Sequence, residues 1–480
     1  MRKAGILMPV SSLPDRFGCG DFGKQAYHFV DTLAQAGIGV WQILPLNPMG
    51  YGHSPYQPYS SYAMDEMYIS LDTLVEQGYL QEVPSFNENA ATVDFEAVRA
   101  FKEPYLKEAF SHFKEDMNFV TFSYQPWMKN YALFKTFKKA NHNAEWTNWP
   151  EEQKNYPLNH ALDLTPYTKD ILYEVFLQYI LYLQWKDLKQ YANDRDIEIM
   201  GDMPFYVGLD SADVWADREA FLLDKDGRPE WIAWVPPDYF SATGQRWGNP
   251  IYNWEYLQQT EFQFWIDRIS YCGKLMDYVR IDHFRAFDTY WKIPASCPTA
   301  IEGEWVEAPG YALFDTLFAK NPEVNIICED LGDLRPEVYT LRDHYQFPGM
   351  RVIQFAFGDN DTIGDRENLI VYTGTHDNTC ILDWYNSQSV KEKKQIRTWL
   401  KDHGYTQRYF IDNILAYALD TQAKIVIIPI FDFLHENHAR INTPGTINTE
   451  NWTYRVKNLK KWESIAEKVR MLVEKSHRVV

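Results

Sequence analysis

Eight short, almost continuously apolar runs recur along the 480 residues, most of them ending in a polar or charged residue. They are Gly5–Pro9, Gly39–Pro45, Ile197–Pro204, Asp277–Asp282, Asn325–Asp330, Met350–Phe355, Leu369–Asp377 and Ala423–Ile430. Runs of this length and make-up suit strands buried on both faces of a parallel sheet. Eight of them separated by helical segments are the pattern of an α/β chain closed into a (β/α)8 TIM barrel. Three of the intervening segments carry clear helix signals. From Asp21 to Ala36, apolar residues at Phe22, Ala26, Phe29, Val30 and Leu33 follow a 3.6-residue period, and Gly37 stops the helix. Ile171–Ala192 sets Leu172, Val175, Phe176, Tyr179, Ile180 and Leu183 along one stripe, and Ser387 or Ser389 caps a helix that runs on to Leu400.

Two gaps are too long for simple connections, and both follow strand C-termini, over the face where barrel active sites lie. Residues 76–165 read as a helical insertion. Residues 208–256, rich in Asp, Trp and Pro, read as loops with little helix. No linker divides the chain, so residues 1–480 are expected to form one catalytic barrel carrying these two insertions.

The formal charge is 47 − 66 = −19. Nucleic acid and anionic membrane surfaces are therefore repelled, whereas a neutral substrate is indifferent to that charge. Aromatic residues make up 16% of the chain. Their flat faces suit sugar rings, and equally they fill cores, so the composition leaves both readings open. Five scattered cysteines with no C-x-x-C pair argue against a disulfide framework or a structural zinc site. The opening MRKAGILMPVSSLP has too short an apolar stretch for a secretory leader, and Val175–Trp185 is too short to span a bilayer. A cytoplasmic protein is expected.

The chemistry gathers at strand ends. In VRIDHFRAF, Arg280 and Asp282 are two apart and share a strand face at the end of the fourth run. A cation beside a carboxylate favours its charged form, as a nucleophile requires, although a structural ion pair reads the same way. Glu329 ends the fifth run and faces the lumen if Ile327 does. His376 and Asp377 close the seventh run, and Asp202 sits at the end of the third. Singly, each is as readily a cap or turn former. Together they are the equipment of glycoside cleavage, in which one carboxylate attacks the anomeric carbon and another trades a proton with the departing and arriving oxygens. On that reasoning Asp282 suits the nucleophile and Glu329 the acid/base, while Asp377 with His376 grips sugar hydroxyls.

RIDHFR (Arg280–Arg285), ICEDLG (Ile327–Gly332) and GTHDN (Gly374–Asn378) resemble motifs of the 4-α-glucanotransferase family, the amylomaltases or disproportionating enzymes of the α-amylase clan. The resemblance runs the length of the chain through SPYQPYS (Ser54–Ser60), GDMPFYV (Gly201–Val207), DSADVW (Asp210–Trp215), PPDYFSATGQRWGNP (Pro236–Pro250), NTPGT (Asn442–Thr446) and the pair Asn451, Trp452. It implies a retaining transfer of α-1,4-glucan segments between maltodextrin, amylose or starch- and glycogen-derived chains. It gives Asp282 as nucleophile, Glu329 as acid/base and Asp377 as the third carboxylate. Arg280 and His376 match positions at the cleaved sugar, and Tyr56, Asp238, Gln245, Trp247 and Asn442 match positions lining the donor and acceptor groove; Asp202, at its strand end, is a further candidate for substrate binding. Neither the C-terminal β-domain usual in α-amylases nor their calcium motif is expected, and no metal or cofactor is implied.

The same carboxylates serve an α-amylase-type hydrolase, the alternative reading, or persist as relics in a glucan-binding protein that has lost catalysis. Transfer requires that a sugar hydroxyl reach the intermediate before water does. Pro236–Trp254 carries Tyr239, Phe240, Trp247, Tyr252 and Trp254, with Gly244 and Gly248 as candidate hinges. That segment reads either as an aromatic lid over the cleft or as a rigid subdomain with its own small core.

Overall fold

A computed structural model describes residues 2–235, 245–299, 301–332, 334–357 and 366–478, less the side chains at positions 51, 234, 235 and 245–247. Each apolar run supplies one strand. In order they are Lys3–Leu7, Val40–Gln42, Glu198–Met203, Tyr278–Ile281, Ile326–Cys328, Gly349–Val352, Leu369–Tyr372 and Ile425–Pro429. All are parallel and follow one another around the sheet in chain order, with the eighth paired to the first.

The ring closes between the fifth and sixth strands, where Cys328 N donates to Pro348 O at 2.9 Å. Asp330, fully buried one residue beyond Glu329, reinforces this seam. It accepts from Met350 N at 2.6 Å and from the guanidinium groups of Arg342 and Arg351. A buried carboxylate survives only with such partners. Gly349 is required beside it, since a Cβ there would lie 2.5 Å from Asp330 Oδ2.

Register sets the lumen. Asp202, Arg280 and Ile327 are cross-strand neighbours on the third, fourth and fifth strands. Side chains alternate along a strand, so Asp282 and Glu329, two residues further on, share that inward-pointing set.

The first helix, Lys24–Gln35, buries Ala26, Phe29, Val30 and Leu33 and ends before Gly37, whose φ is 72°. Ser389 forms a reciprocal capping box with Glu392 at the head of Val390–Asp402. The long helix Thr168–Asn193 differs from the single expected stripe. It is buried almost all round from Tyr173 to Leu181, while Leu172 and Leu183 are only half-buried. Helices Phe95–His112 and Met117–Ser123 of the preceding insertion cover its outer side, packing Phe110, Phe113, Phe119 and Phe122 against Tyr173, Phe176 and Tyr179. Gln178 and Gln184 face inward and satisfy both backbone groups of Met64 and Ser70, pinning the connection that follows the second strand.

The stretch expected as loops, 208–256, instead contributes two strands to a four-stranded antiparallel sheet. Gln245–Pro250 pairs with Trp231–Val235, which pairs on its other side with Thr289–Pro294, and that strand pairs with Glu304–Glu307; the last two follow the fourth barrel strand. The central pairing, of Trp231–Val235 with Thr289–Pro294, joins strands far apart in the sequence and leaves no local hairpin signature to read. Tyr252 and Trp254 are buried against Phe205 and Trp265, with Tyr252 Oη donating to Phe205 O at 2.7 Å. Those two aromatics belong to a packed core and do not stack on a sugar. Of the rest of the expected lid, Tyr239, Phe240 and Gly244 lie outside the described residues.

Candidate active site

The C-terminal mouth of the barrel brings Asp202, Arg280, Asp282, Glu329, His376 and Asp377 together. Arg280 Nη1 lies 2.6 and 2.7 Å from the two oxygens of Asp202 and 3.2 Å from Asp282 Oδ1. The guanidinium is buried and the Asp202 carboxylate fully so, whereas Asp282 keeps 29% of its side chain open to the cleft. Tyr56, from the connection after the second strand, donates to Asp202 Oδ2 at 2.7 Å and stacks on the His376 ring with centroids 4.9 Å apart. Trp452 closes the trio, 5.5 Å from the Tyr56 ring and 6.0 Å from that of His376.

Glu329 stands opposite. Its Oε2 accepts from the backbone N–H of His283 at 2.7 Å. His283 adopts φ 54°, a left-handed conformation uncommon outside glycine that turns the chain sharply after Asp282 and aims that N–H at the carboxylate. Burial, aided by Arg285, holds the His283 imidazole down to about 3, so it is neutral and adds no cation beside Glu329.

Burial is also the leading influence on the two carboxyls. It pushes Asp282 up to about 7 against the pull of Arg280, with Asp202 and Asp377 adding to the rise. It pushes Glu329 up to about 8, reinforced by the charge of Asp282 and opposed by Arg280 and the His283 N–H. Arg280 therefore favours the charged form of Asp282, as its place beside the carboxylate implies, but burial outweighs it. The guanidinium is already committed to Asp202 and cannot outweigh the loss of water. The two carboxyls titrate as a pair, in which Arg280 favours the anion at Asp282 and the charge of Asp282 favours the proton on Glu329.

The segment after the seventh strand carries His376 and Asp377. Asn442 Nδ2 donates to Asp377 Oδ1 at 2.7 Å, and Arg440 Nη2 to Asp377 O at 2.9 Å. Asn442 N also donates to His376 O, tying this loop to the one after the eighth strand. His376 Nε2 lies 3.4 Å from Asp377 Oδ2, which leaves Asp377, 43% exposed, pointing into the cleft. Beneath them the fully buried Asp432 accepts from Thr373 Oγ1 and from Ile381 N, both at 2.8 Å, and so clasps both ends of the loop.

The structure thus assembles Asp282, Glu329, Asp377, Arg280, His376, Tyr56, Asp202 and Asn442. Asp238 and the side chains of Gln245 and Trp247 lie outside the described residues. Reading the sequence gave no role to Trp452, Arg440, Asp432 or the His283 N–H. Asp432 carried a usable signal, since the eighth apolar run, like the third, fourth, fifth and seventh, has an acid at or just past its end. The roles of Arg440 and the His283 amide depend on backbone geometry, which leaves no mark in residue type. Among the described residues no three His, Cys, Asp or Glu side chains gather to hold a metal ion, and no helix is long and apolar enough to cross a membrane.

The sequence model of a family described as 4-alpha-glucanotransferase matches residues 8–460. A 4-alpha-glucanotransferase of Thermus thermophilus is 41% identical over 478 residues, covering 95% of each chain. A chloroplastic/amyloplastic 4-alpha-glucanotransferase of Solanum tuberosum is 35% identical over 501 residues, covering 98% of this chain and 85% of its own. The solved structure of an amylomaltase from Streptococcus agalactiae, in complex with acarbose, superposes over the whole of both chains with a TM-score of 0.94 at 34% identity. With the barrel and its carboxylate-lined mouth in hand, these likenesses place the chain in the 4-alpha-glucanotransferase family.

Proposed function

We propose that this chain transfers α-1,4-glucan segments between maltodextrin chains by a double displacement. The observation that carries the mechanism is the different setting of two neighbouring carboxyls: Asp282 lies 3.2 Å from the Arg280 guanidinium, while Glu329 accepts from the neutral His283 backbone N–H and is raised by burial and by the charge of Asp282. Asp282 attacks the anomeric carbon as Glu329 protonates the departing glycosidic oxygen. Glu329 then takes the proton of an incoming 4-hydroxyl, which displaces Asp282 with net retention. Asp377, held by Asn442, and His376, stacked on Tyr56, grip the ring being cleaved, and their contacts strengthen as it flattens. Asp238, Gln245 and Trp247 are proposed to line the groove with them. The insertions at 76–165 and 208–256 are taken as walls of that groove on a single catalytic barrel.

Neutral glucans such as maltodextrin, amylose and starch- or glycogen-derived chains are the proposed partners, and nucleic acid and membranes are not, given the charge of −19. Five free cysteines fit a reducing cytoplasm.

Chromatography of the products from maltotriose alone tests the activity. Glucose together with maltopentaose and longer chains, with the number of linkages constant, is the expected result. Shorter sugars only, with rising reducing ends, would make the enzyme a hydrolase.

Asp432 offers a second test. Its replacement by Ala leaves two buried donors without partners, a cost of about 1–3 kcal/mol each, and frees the loop that positions His376 and Asp377. Asp432→Ala is expected to melt several degrees lower and to lose up to about 100-fold in kcat/KM. Asp432→Asn, which keeps one acceptor oxygen, recovers part of both. Equal activity of wild type and Asp432→Ala at a temperature where both are folded removes the positioning role.

A further inference from the structure

Large aromatics are normally buried, and among the described residues Trp305 is the one tryptophan that stays exposed, at 44%. It lies on Glu304–Glu307, the outer strand of the four-stranded sheet, directly across from Trp291. The two rings meet edge to face with centroids 5.2 Å apart. The Arg285 guanidinium sits 4.4 Å from the centroid of the Trp305 ring. A planar cation on one face and a perpendicular ring at the edge fix the indole while leaving surface open. Alternation directs its neighbour Glu304 to the opposite side of the sheet, where it pairs with Lys292, which itself lies over Trp231.

This strand is tied to the catalytic loop. His283, whose N–H holds Glu329, is two residues from Arg285. Asp288, at the end of the same turn, accepts from Arg335 and, through its carbonyl, from Ala308 N at 2.8 Å. Trp305 therefore belongs to the flank of the cleft on which Glu329 stands. Tyr56, His376, Asp377 and Asn442 form the other flank. An acid that protonates the departing oxygen stands toward the leaving group, so the Glu329 flank is where the leaving chain departs and the acceptor enters.

We propose that Trp305, backed by Arg285 and Trp291, is a stacking platform for a glucose ring of the acceptor chain, beyond the ring that bears the attacking hydroxyl. The inference rests on the roles given above to Asp282 and Glu329. The apolar face of a pyranose ring covers an indole without demanding a particular hydroxyl pattern, and the guanidinium edge offers donors to its oxygens. Such a site holds a chain in register and raises the effective concentration of its 4-hydroxyl over water.

The test loads the enzyme with α-maltotriosyl fluoride, because fluoride leaves without a proton from Glu329 and no acceptor-side sugar is needed for that step. Asp282 forms the glycosyl bond as the carbon–fluorine bond breaks, and the acceptor hydroxyl then displaces Asp282 with its proton passing to Glu329. Glucose and maltotetraose are compared as acceptors. In the wild type kcat/KM is expected to favour maltotetraose, and Trp305→Ala is expected to lower the maltotetraose-to-glucose ratio about 10-fold, through KM, with Trp305→Phe intermediate. Because the ratio is read within one enzyme, a loss of folded protein cancels. An unaltered ratio in Trp305→Ala, or no preference in the wild type, overturns the platform. Failure of the wild type to release fluoride from the donor is a separate outcome. It overturns the carboxylate roles, and the platform with them.

Discussion

Asp282→Asn is expected to lower turnover on maltotriose by a factor on the order of 10⁴ or more, with the fold intact. The substitution preserves shape and leaves an amide oxygen where Asp282 Oδ1 now lies 3.2 Å from Arg280 Nη1, while the Arg280–Asp202 pair beneath it is untouched. What disappears is the anion able to form the glycosyl bond. A second loss compounds the first, because the charge of Asp282 helps to raise the Glu329 carboxyl, and a neutral neighbour lets Glu329 ionise more readily. Intact-protein mass spectrometry after mixing with α-maltotriosyl fluoride reads the bond itself: an adduct on the wild type and none on the variant. Retention of more than about a tenth of wild-type turnover by a correctly folded Asp282→Asn enzyme would show that another group is the nucleophile.

How far the sequence anticipates this site depends on where each contact originates. Barrel strands were legible because burial on both faces forces runs such as Ile425–Pro429 to be apolar throughout, and the acids that end them stand out by contrast. Arg280 and Asp282 were placed on one face by the two-residue period alone, and the structure finds both contacting each other across that face. Strand pairing at distance was not legible. Trp231–Val235 finds its partner at Thr289–Pro294 through the barrel it hangs from, and no local pattern announces it. The long helix misled for a related reason. Tyr173, for example, fell outside the one stripe because the layer that covers it comes from a separate insertion. Electrostatics was legible in sign only partly. Proximity of Arg280 to Asp282 could be inferred, but the burial that pushes Asp282 up to about 7, and the pairing of Asp202 with the same Nη1, needed coordinates. That a neighbouring carboxylate raises Glu329 could be inferred from two acids ending adjacent strands, whereas the burial that leads the rise needed coordinates.

Glu329→Gln is expected to cost about 10²–10⁴-fold on maltotriose, where the leaving oxygen needs a proton, and far less on formation of the glycosyl bond from α-maltotriosyl fluoride, where it does not. The pH dependence follows from the same pair. Wild-type kcat/KM on maltotriose requires Asp282 ionised and Glu329 protonated, so it rises as pH passes about 7, falls as pH passes about 8, and describes a narrow bell whose limbs belong to the two carboxyls together. With the fluoride donor the alkaline limb is expected to be absent from wild type and Glu329→Gln alike, because fluoride leaves without a proton from residue 329. Stability is lost over the same pH range as the alkaline limb of activity. Folding raises the Glu329 carboxyl from its usual value near 4.5 to about 8, so the folded state binds the proton more tightly than the unfolded chain. The stabilisation this brings is complete below the unfolded value and is lost as pH climbs through about 8. Gln carries no charge to bury, and Glu329→Gln is therefore expected to melt at a higher temperature than the wild type at pH 9, with a smaller difference at pH 6. A melting difference independent of pH between 6 and 9 would mean that Glu329 is already ionised throughout that range in the folded enzyme, and the acid/base role would pass to another group. The barrel thus tolerates at Glu329 a carboxyl that costs stability when charged, because only a proton held to about pH 8 can be delivered to a sugar oxygen at neutral pH.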